Sequence, residues 1–144
     1  MLLAAKILLT LTTLGYSVVP ALFDTNSTHA TNPTWDPHAR FHIIWQVSSY
    51  VYLALLALFL IWTAGGDTWP LWLTVWFAVF AYGGFWTAVF ARSIYGGHLV
   101  SKGNPVPHFN WNLGGKTFST DANVTLFTGT LIVLIAGVIC LIKA

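Results

Sequence analysis

Four long apolar runs divide this sequence, and each is long enough to cross a lipid bilayer as a helix. They are Leu2–Phe23, Phe41–Ala64, Trp69–Ala91 and Ala122–Ile142. About 20 apolar residues span the hydrocarbon layer, where backbone polar groups must be satisfied within helices or a closed barrel. Because the runs are continuously apolar and do not alternate with polar residues, they favour helices over barrel strands. The sequence therefore predicts four membrane-spanning helices.

The composition indicates that lipid is the main solvent of this chain. Its 144 residues are 56% hydrophobic and only 7% charged, whereas about a quarter of the residues in a soluble domain are charged. The net charge of +2 comes from six scattered basic residues, and the sequence has no basic patch suited to nucleic acid. We therefore predict a multi-pass membrane protein that contacts membrane lipid and a hydrophobic small molecule but no nucleic acid. A homo-oligomer is compatible with the sequence.

The apolar runs and their flanks predict a single all-α domain over residues 1–144, an integral membrane four-helix bundle. The predicted spans are 2–23, 37–64, 69–95 and 120–143, and the predicted polar loops are 24–36 and 96–119. Because the number of spans is even, we expect both termini on one side of the membrane and both polar loops on the other. Four of the six basic residues fall on the loop side, so the positive-inside rule predicts cytoplasmic loops.

Glycines in the third and fourth spans are candidates for close contact between helices. They are Gly83, Gly84, Gly129 and Gly137. A residue without a side chain lets two helix backbones approach each other, which favours helix association in lipid. We therefore predict tight packing at these positions.

All five histidines and three of the four aspartates lie in two polar segments, one before the second span and one before the fourth. Asp36 and Pro37 are typical of a helix start. From that start, His38, His42 and Gln46 recur at helical spacing, as a polar stripe that enters the membrane. The first and fourth spans also carry polar residues at this end. The sequence therefore predicts a cavity there, open to one side of the membrane.

Acid–base catalysis on a lipid-soluble substrate is the interpretation that this pattern favours. A carboxyl partly buried at a membrane boundary has a raised pKa, which suits a proton donor near neutral pH. Asp36 and Asp121 also fit the simpler role of helix caps. Asp24 ends a helix, where its charge opposes the helix dipole, so capping does not account for it. Asp24 is therefore the predicted catalytic acid or base.

The other predicted catalytic residues are His29, His38 and His42, which would tune or relay the proton, and Arg40, which would hold a carboxylate in a bidentate pair. The predicted substrate-binding residues are amide, aromatic, phenol and carboxyl side chains at the same end: Asn26, Asn32, Trp35, Trp45, Gln46, Tyr50, Tyr82, Trp86 and Asp121. Aromatic faces stabilise a developing carbocation. The predicted reaction is thus epoxide opening of an isoprenoid-like molecule, giving cyclisation or hydrolysis, or else an isomerisation, with no cofactor.

Other functions remain open at the level of the sequence. His38 and His42 are four residues apart on one helical face, a spacing that binds metals, and His29 could add a third ligand; the preferred interpretation has no metal. A transport path is disfavoured because no ionisable residue other than tyrosine lies between Gln46 and Asp67. A non-catalytic binding or assembly subunit is a further alternative.

One string in the first polar segment resembles a known pattern. It reads Thr28-His29-x-x-Asn32-Pro33-x-Trp35-x-Pro37-His38-Ala39-Arg40-Phe41-His42-x-x-Trp45. The string resembles the THxxNPxWxPHARFHxxW loop of a family of small four-helix integral membrane proteins. In size and hydropathy the chain is also similar to small membrane-bound cyclases and hydrolases that open terpenoid or polyketide epoxides. The first resemblance implies that the residues from Asp24 to His42 act as one unit.

Overall fold

The computed structural model describes residues 1–100 and 106–144, which form four long helices and one β-hairpin. The elements are α1 (Leu2–Asp24), α2 (Pro37–Thr63), α3 (Trp69–Tyr95), β1 (His108–Leu113), β2 (Lys116–Asp121) and α4 (Ala122–Ile142). Among these described residues, all four helices are long and apolar enough to cross a membrane. This confirms the prediction of four helices that are each able to span a membrane, as in a multi-pass membrane protein.

Local signals set the helix ends close to the predicted positions. Asp36 caps α2, since its Oδ1 accepts a hydrogen bond of 2.8 Å from the backbone N–H of His38. Asp121 caps α4 in the same way, accepting a bond of 2.9 Å from the N–H of Val124. Gly96 ends α3 in the left-handed conformation, with φ of 69°, which glycine adopts without steric cost.

The core of the bundle forms around α1, which packs against each of the other three helices. Its buried side chains include Leu9 and Tyr16, and they meet Tyr82 from α3 and Leu134 from α4. The start of α1 lies beside the turn between α2 and α3, because Lys6 Nζ donates to the Gly65 carbonyl oxygen at 3.2 Å. A single core therefore joins all four helices.

Close helix contact occurs at different glycines from most of those predicted. A Cβ added at Gly15 would lie 2.6 Å from Thr130 Cγ2, and one at Gly137 would lie 3.3 Å from Leu8 Cβ. These two glycines bring α1 and α4 together. Gly83, Gly84 and Gly129 face open space instead, so the prediction of tight packing was wrong for those three positions. Hydropathy does not reveal which face of an apolar helix meets a neighbour.

A β-hairpin occupies much of the segment that the sequence pattern indicated as the polar loop 96–119, of which residues 101–105 lie outside the described residues. Strands β1 and β2 pair antiparallel, with Trp111 opposite Phe118. Gly114 and Gly115 connect the strands with φ of 58° and 79°, as a two-residue hairpin turn requires. The signal was present as polar and apolar residues that alternate around a Gly-Gly pair.

Candidate functional site

The predicted acid Asp24 lies beside His29 at the point where α1 ends. Asp24 Oδ1 is 3.8 Å from His29 Nδ1, and their side chains are 29% and 35% exposed. The chain turns back here, because the N–H of Ala30 donates to the Asp24 carbonyl oxygen at 3.0 Å and the N–H of His29 donates to that of Asn26 at 3.1 Å. The turn therefore holds an ionisable pair, half-buried, at the end of a membrane span.

Thr28 fixes the orientation of the His29 ring. Its hydroxyl lies 2.7 Å from Asn26 Oδ1 and 3.1 Å from the Phe23 carbonyl oxygen, which can only accept hydrogen bonds. A hydroxyl that donates its one proton to either of these oxygens accepts from His29 Nδ1, 2.8 Å away. The neutral imidazole then carries its proton on Nδ1. The free lone pair is on Nε2, which can act as a base.

Asn32 holds the second half of the turn in place. It is only 6% exposed, and its Oδ1 accepts hydrogen bonds from the Thr34 backbone N–H at 3.0 Å and the Thr34 hydroxyl at 2.8 Å. Its amide donates to the Thr28 carbonyl oxygen at 3.3 Å. Both predicted asparagines, Asn26 and Asn32, are thus engaged within the loop itself.

Trp35 joins the same cluster through its ring. The ring centroids of His29 and Trp35 are 5.1 Å apart in an edge-to-face arrangement, a favoured geometry for aromatic pairs. The structure therefore brings together five of the predicted residues, Asp24, Asn26, His29, Asn32 and Trp35. We refer to this group as the Asp24 cluster.

His38 and His42 form a separate pair on the first turns of α2. Their Nε2 atoms are 3.1 Å apart and their ring centroids 4.5 Å apart. Both side chains are exposed. Phe41 stacks on His38 and the predicted residue Trp45 stacks on His42, each with ring centroids about 6 Å apart. The predicted histidine set thus divides into His29, in the Asp24 cluster, and the His38–His42 pair.

A row of three tyrosines continues from Gln46 into the bundle. Gln46 is exposed and donates to the Tyr50 hydroxyl at 3.2 Å. The Tyr50 ring meets Tyr16 edge-on at 6.3 Å, and Tyr16 in turn meets Tyr82 at 6.1 Å. Tyr82 is buried and donates to the Thr12 carbonyl oxygen at 2.7 Å. Gln46, Tyr50 and Tyr82 are therefore parts of one connected row.

The sequence pattern did not single out Tyr16 and Thr12 as site residues. Both are buried, and within the described part of the chain Tyr16 OH and Thr12 Oγ1 have no hydrogen-bond partner. Their spacing of four residues puts both on one face of α1, in the polar row with Pro20 and Asp24 that the sequence predicts, but that row gave them no role in the site.

Three other predicted residues have contacts of their own. Within residues 1–100 and 106–144, Asp24–His29 is the one contact closer than 4.0 Å between a side-chain carboxyl and a basic side chain, so no carboxylate there clamps Arg40. The Trp86 ring stacks on Phe90 with centroids 5.6 Å apart. Asp121 caps α4, as described above, and its role as a helix cap is thereby observed directly.

An apolar groove runs between α1 and α2 toward the Asp24 cluster. Its volume is about 210 Å³, and its walls include Ser17 and Ala21 from α1 and Ala54 and Leu58 from α2. At 100° per residue, Ser17, Ala21 and Asp24 share one face of α1, so Asp24 lies one turn beyond the end of the groove wall. The sequence predicted a cavity at this end of the bundle, whereas the groove lies between the spans and its walls do not include Asp24 or a histidine.

A second hollow lies at the end of α3, with a volume of about 160 Å³. Arg92, Tyr95 and His98 contribute its polar atoms and Phe85 part of its apolar wall. In the described residues no three His, Cys, Asp or Glu side chains gather as a metal site would require. Comparisons of the chain with protein families, with curated proteins and with solved structures found no match.

Proposed function

We propose that the protein is a small membrane enzyme that uses Asp24 and His29 for acid–base catalysis on a hydrophobic, isoprenoid-like molecule. The observation that carries this proposal is the Asp24–His29 pair, 3.8 Å apart and half-buried, one helical turn beyond the end of an apolar groove. Ionisable side chains are energetically costly at the edge of lipid, and those found there are usually functional. An acid next to a base is a common arrangement for proton transfer.

The preferred reaction is the opening of an epoxide. Asp24 donates a proton to the epoxide oxygen while the C–O bond breaks, and a water or a substrate hydroxyl forms the new C–O bond. His29 Nε2 takes the proton of this nucleophile; the imidazolium then releases one proton to water and Asp24 takes one from water, which restores both groups. The result is a diol or a cyclic ether, with all atoms and protons accounted for. The Trp35 ring beside His29 would stabilise positive charge on the reacting carbon.

The groove favours a substrate that arrives through the bilayer. Its walls are almost entirely apolar, and several of them, such as Val18, Leu22 and Leu55, are exposed on the outside of the bundle. A hydrophobic chain can therefore enter sideways from lipid with its reactive end toward Asp24. Binding along the groove would orient that end against the acid, which lowers the entropic part of the barrier.

Turnover of defined epoxides tests the proposal. The protein, purified into lipid nanodiscs, is incubated with 10,11-epoxyfarnesol or 2,3-oxidosqualene, and products are quantified by mass spectrometry. We expect turnover of at least one of the two, and we expect Asp24→Asn to lower it by about 100-fold or more, as loss of a general acid does. Asp67→Asn makes the same chemical change at the α2–α3 turn, where asparagine still accepts the Trp69 N–H, and should have no effect. Equal turnover by wild type and Asp24→Asn would sink the proposal.

The proposed arrangement in the membrane has the Asp24 cluster and the hairpin on the cytoplasmic side and both termini on the other. It rests on the even number of spans and on the excess of basic residues near these segments. Single cysteines at Ser27 and Gly66, in a Cys140→Ser background, distinguish the two sides. A membrane-impermeant maleimide added to intact cells should label Gly66→Cys and spare Ser27→Cys; the opposite pattern would reverse the orientation.

A second candidate function, divalent metal binding, is favoured by the His38–His42 pair. A metal about 2.05 Å from both Nε2 atoms, the usual Zn–N distance, would subtend an angle of roughly 100° at their separation of 3.1 Å. Water or another chain would complete such a site. Titration with Co²⁺ and Zn²⁺ should show binding that His38→Ala and His42→Ala abolish and His108→Ala retains. Identical titrations for all of these proteins would exclude this function.

A further inference from the structure

The hairpin has one apolar and one polar face. Side chains alternate between the two faces of a strand, so the observed register places nearly all apolar side chains on one face and the polar ones on the other. The apolar face carries Phe109, Trp111, Leu113 and Phe118, with Thr120 at its base and Lys116 at its tip. The polar face carries His108, Asn110, Asn112, Thr117, Ser119 and Asp121. Such strict alternation is typical of a sheet that separates water from an apolar medium.

The apolar face has no protein partner in the described residues. Phe109, Trp111 and Phe118 are 43%, 43% and 44% exposed, and Leu113 at the tip is 67% exposed. The hairpin packs against α4 but against none of the other three helices. It therefore does not cover the end of α1, where the Asp24 cluster lies. Four neighbouring apolar side chains exposed in this way form a contact surface.

Three hydrogen bonds at the base of the hairpin show which way the apolar face is turned. Thr120, at its base, has its hydroxyl 2.7 Å from that of Thr125, inside the apolar stretch of α4. Trp111 Nε1 donates to the same Thr120 hydroxyl at 2.8 Å. The N–H of Ala122 also donates to the Pro107 carbonyl oxygen at 2.8 Å. The apolar face is thus tied to the side of the hairpin from which α4 continues as a membrane span.

We propose that the hairpin lies on the surface of the phospholipid bilayer, with its four apolar side chains in the interfacial layer. Its base joins a membrane-spanning helix without any intervening loop, so it begins at the membrane boundary. Tryptophan is enriched at this depth, and tryptophan, phenylalanine and leucine form the buried face of elements that lie in the interface. Lys116 at the tip extends a long alkyl chain with a terminal charge, which suits contact with a lipid phosphate. The polar face is then left in water.

Lipid accounts for these features better than a protein partner does. The apolar face is continuous with the lipid-exposed surface of α4, which includes exposed Leu126 and Ile132. A second copy of the chain would need a matching apolar surface outside the membrane, whereas the exposed apolar side chains of the four helices lie within the spans. The occupant that follows from position, residue types and charge is therefore the bilayer surface.

The test measures the environment of single positions along the hairpin. Cysteines replace Phe109, Asn110, Asn112 or Phe118 one at a time in a Cys140→Ser background, and each carries a nitroxide spin label. The proteins are reconstituted in nanodiscs of phosphatidylcholine with phosphatidylglycerol. Collision rates with oxygen, which partitions into lipid, and with a water-soluble nickel chelate are measured by electron paramagnetic resonance.

We expect a two-residue alternation. Labels at 109 and 118 should collide with oxygen several-fold more than with nickel, and labels at 110 and 112 should do the reverse. Nickel access at all four positions would overturn the proposal, because the hairpin would then stand in water. Low access of both reagents at 109 and 118 would also overturn it, since a protein surface would then cover the face.

A pair of double variants separates lipid contact from a merely folded hairpin. Trp111→Ser with Leu113→Ser should increase nickel access at position 118 severalfold, because most of the apolar anchor is lost. Asn110→Ser with Asn112→Ser changes the same number of residues on the polar face and should leave that access unchanged. If both double variants behave alike, the apolar face does not hold the hairpin on the bilayer.

Discussion

The two polar segments at this end of the molecule fold in opposite ways. In and beside the Asp24 cluster, the side chains of Asn26, Thr28 and Asn32 form hydrogen bonds to the backbone of the same turn. In the hairpin, the backbone ladder satisfies the polar groups and the side chains stand outward, nearly all exposed. The first arrangement fixes a few side chains in defined positions, as catalysis requires, and the second presents a surface. The comparison therefore separates a candidate site from a candidate membrane contact.

Histidine substitutions give the largest expected contrast between the two regions. His29→Ala removes the base next to Asp24 and should lower epoxide turnover by about 100-fold or more. His108→Ala removes an exposed hairpin imidazole, and the rate should stay within twofold of wild type. Steady-state kinetics in nanodiscs measure both. A similar loss for both variants would remove the distinction between site and surface.

Asparagine substitutions should give a smaller contrast. Asn32→Ala deletes three hydrogen bonds that hold the turn, and the displaced Asp24–His29 pair should lower kcat by about tenfold with little change in KM. Asn32→Asp keeps the two accepted bonds and should recover part of the loss. Asn112→Ala, on the polar face of the hairpin, is the matched control with unchanged kcat. If Asn32→Ala raised KM and left kcat unchanged, Asn32 would contact the substrate and would not position the Asp24–His29 pair.

The helix caps are a feature that the two regions share. Asp36→Ala and Asp121→Ala each remove a carboxylate that accepts a backbone N–H, and each should cost about 1 kcal/mol of unfolding free energy. Asparagine at either position should lower the unfolding free energy by a few tenths of a kcal/mol at most, since asparagine also caps helices. Unfolding in mixed detergent micelles, followed by circular dichroism, measures this. A much larger cost for Asp36→Asn would indicate that its charge has a second role.

The smallest expected effect comes from the apolar face of the hairpin. Trp111→Ser with Leu113→Ser should change epoxide turnover by less than twofold, because the hairpin contacts α4 and not α1. The same protein samples used for spin labelling serve for the assay. A tenfold loss of turnover would mean that the hairpin closes over the Asp24 cluster during the reaction.

Much of the fold could be predicted because hydropathy and caps are local properties. The observed helix bounds, such as Pro37–Thr63 and Trp69–Tyr95, differ from the predicted spans by two residues at most. The hairpin was missed because the segment was classified by its overall polarity. The alternation of polar and apolar residues around Gly114 and Gly115 is what indicates two paired strands. The close contact at Gly15 was missed because an apolar helix gives no sign of which face is buried.

The candidate site shows the same division. Sequence reasoning selected Asp24 from its position at a helix end, and it grouped His29, His38 and His42 as equivalent partners. The three histidines are close in sequence, and only the conformation of the local turn determines which of them contacts Asp24. That turn puts His29 against Asp24, while the start of α2 directs His38 and His42 toward each other.

The sequence alone determined that this chain has four helices long and apolar enough to span a membrane and that its ionisable groups gather in two polar segments. Both follow from the cost of polar groups in lipid, which depends on composition along the chain and not on contacts. The tertiary structure alone decided which of those groups meet, where a groove forms between two helices, and how the hairpin is turned. These depend on distances between residues far apart in sequence, or on turns whose hydrogen bonds form only when several side chains are in place together.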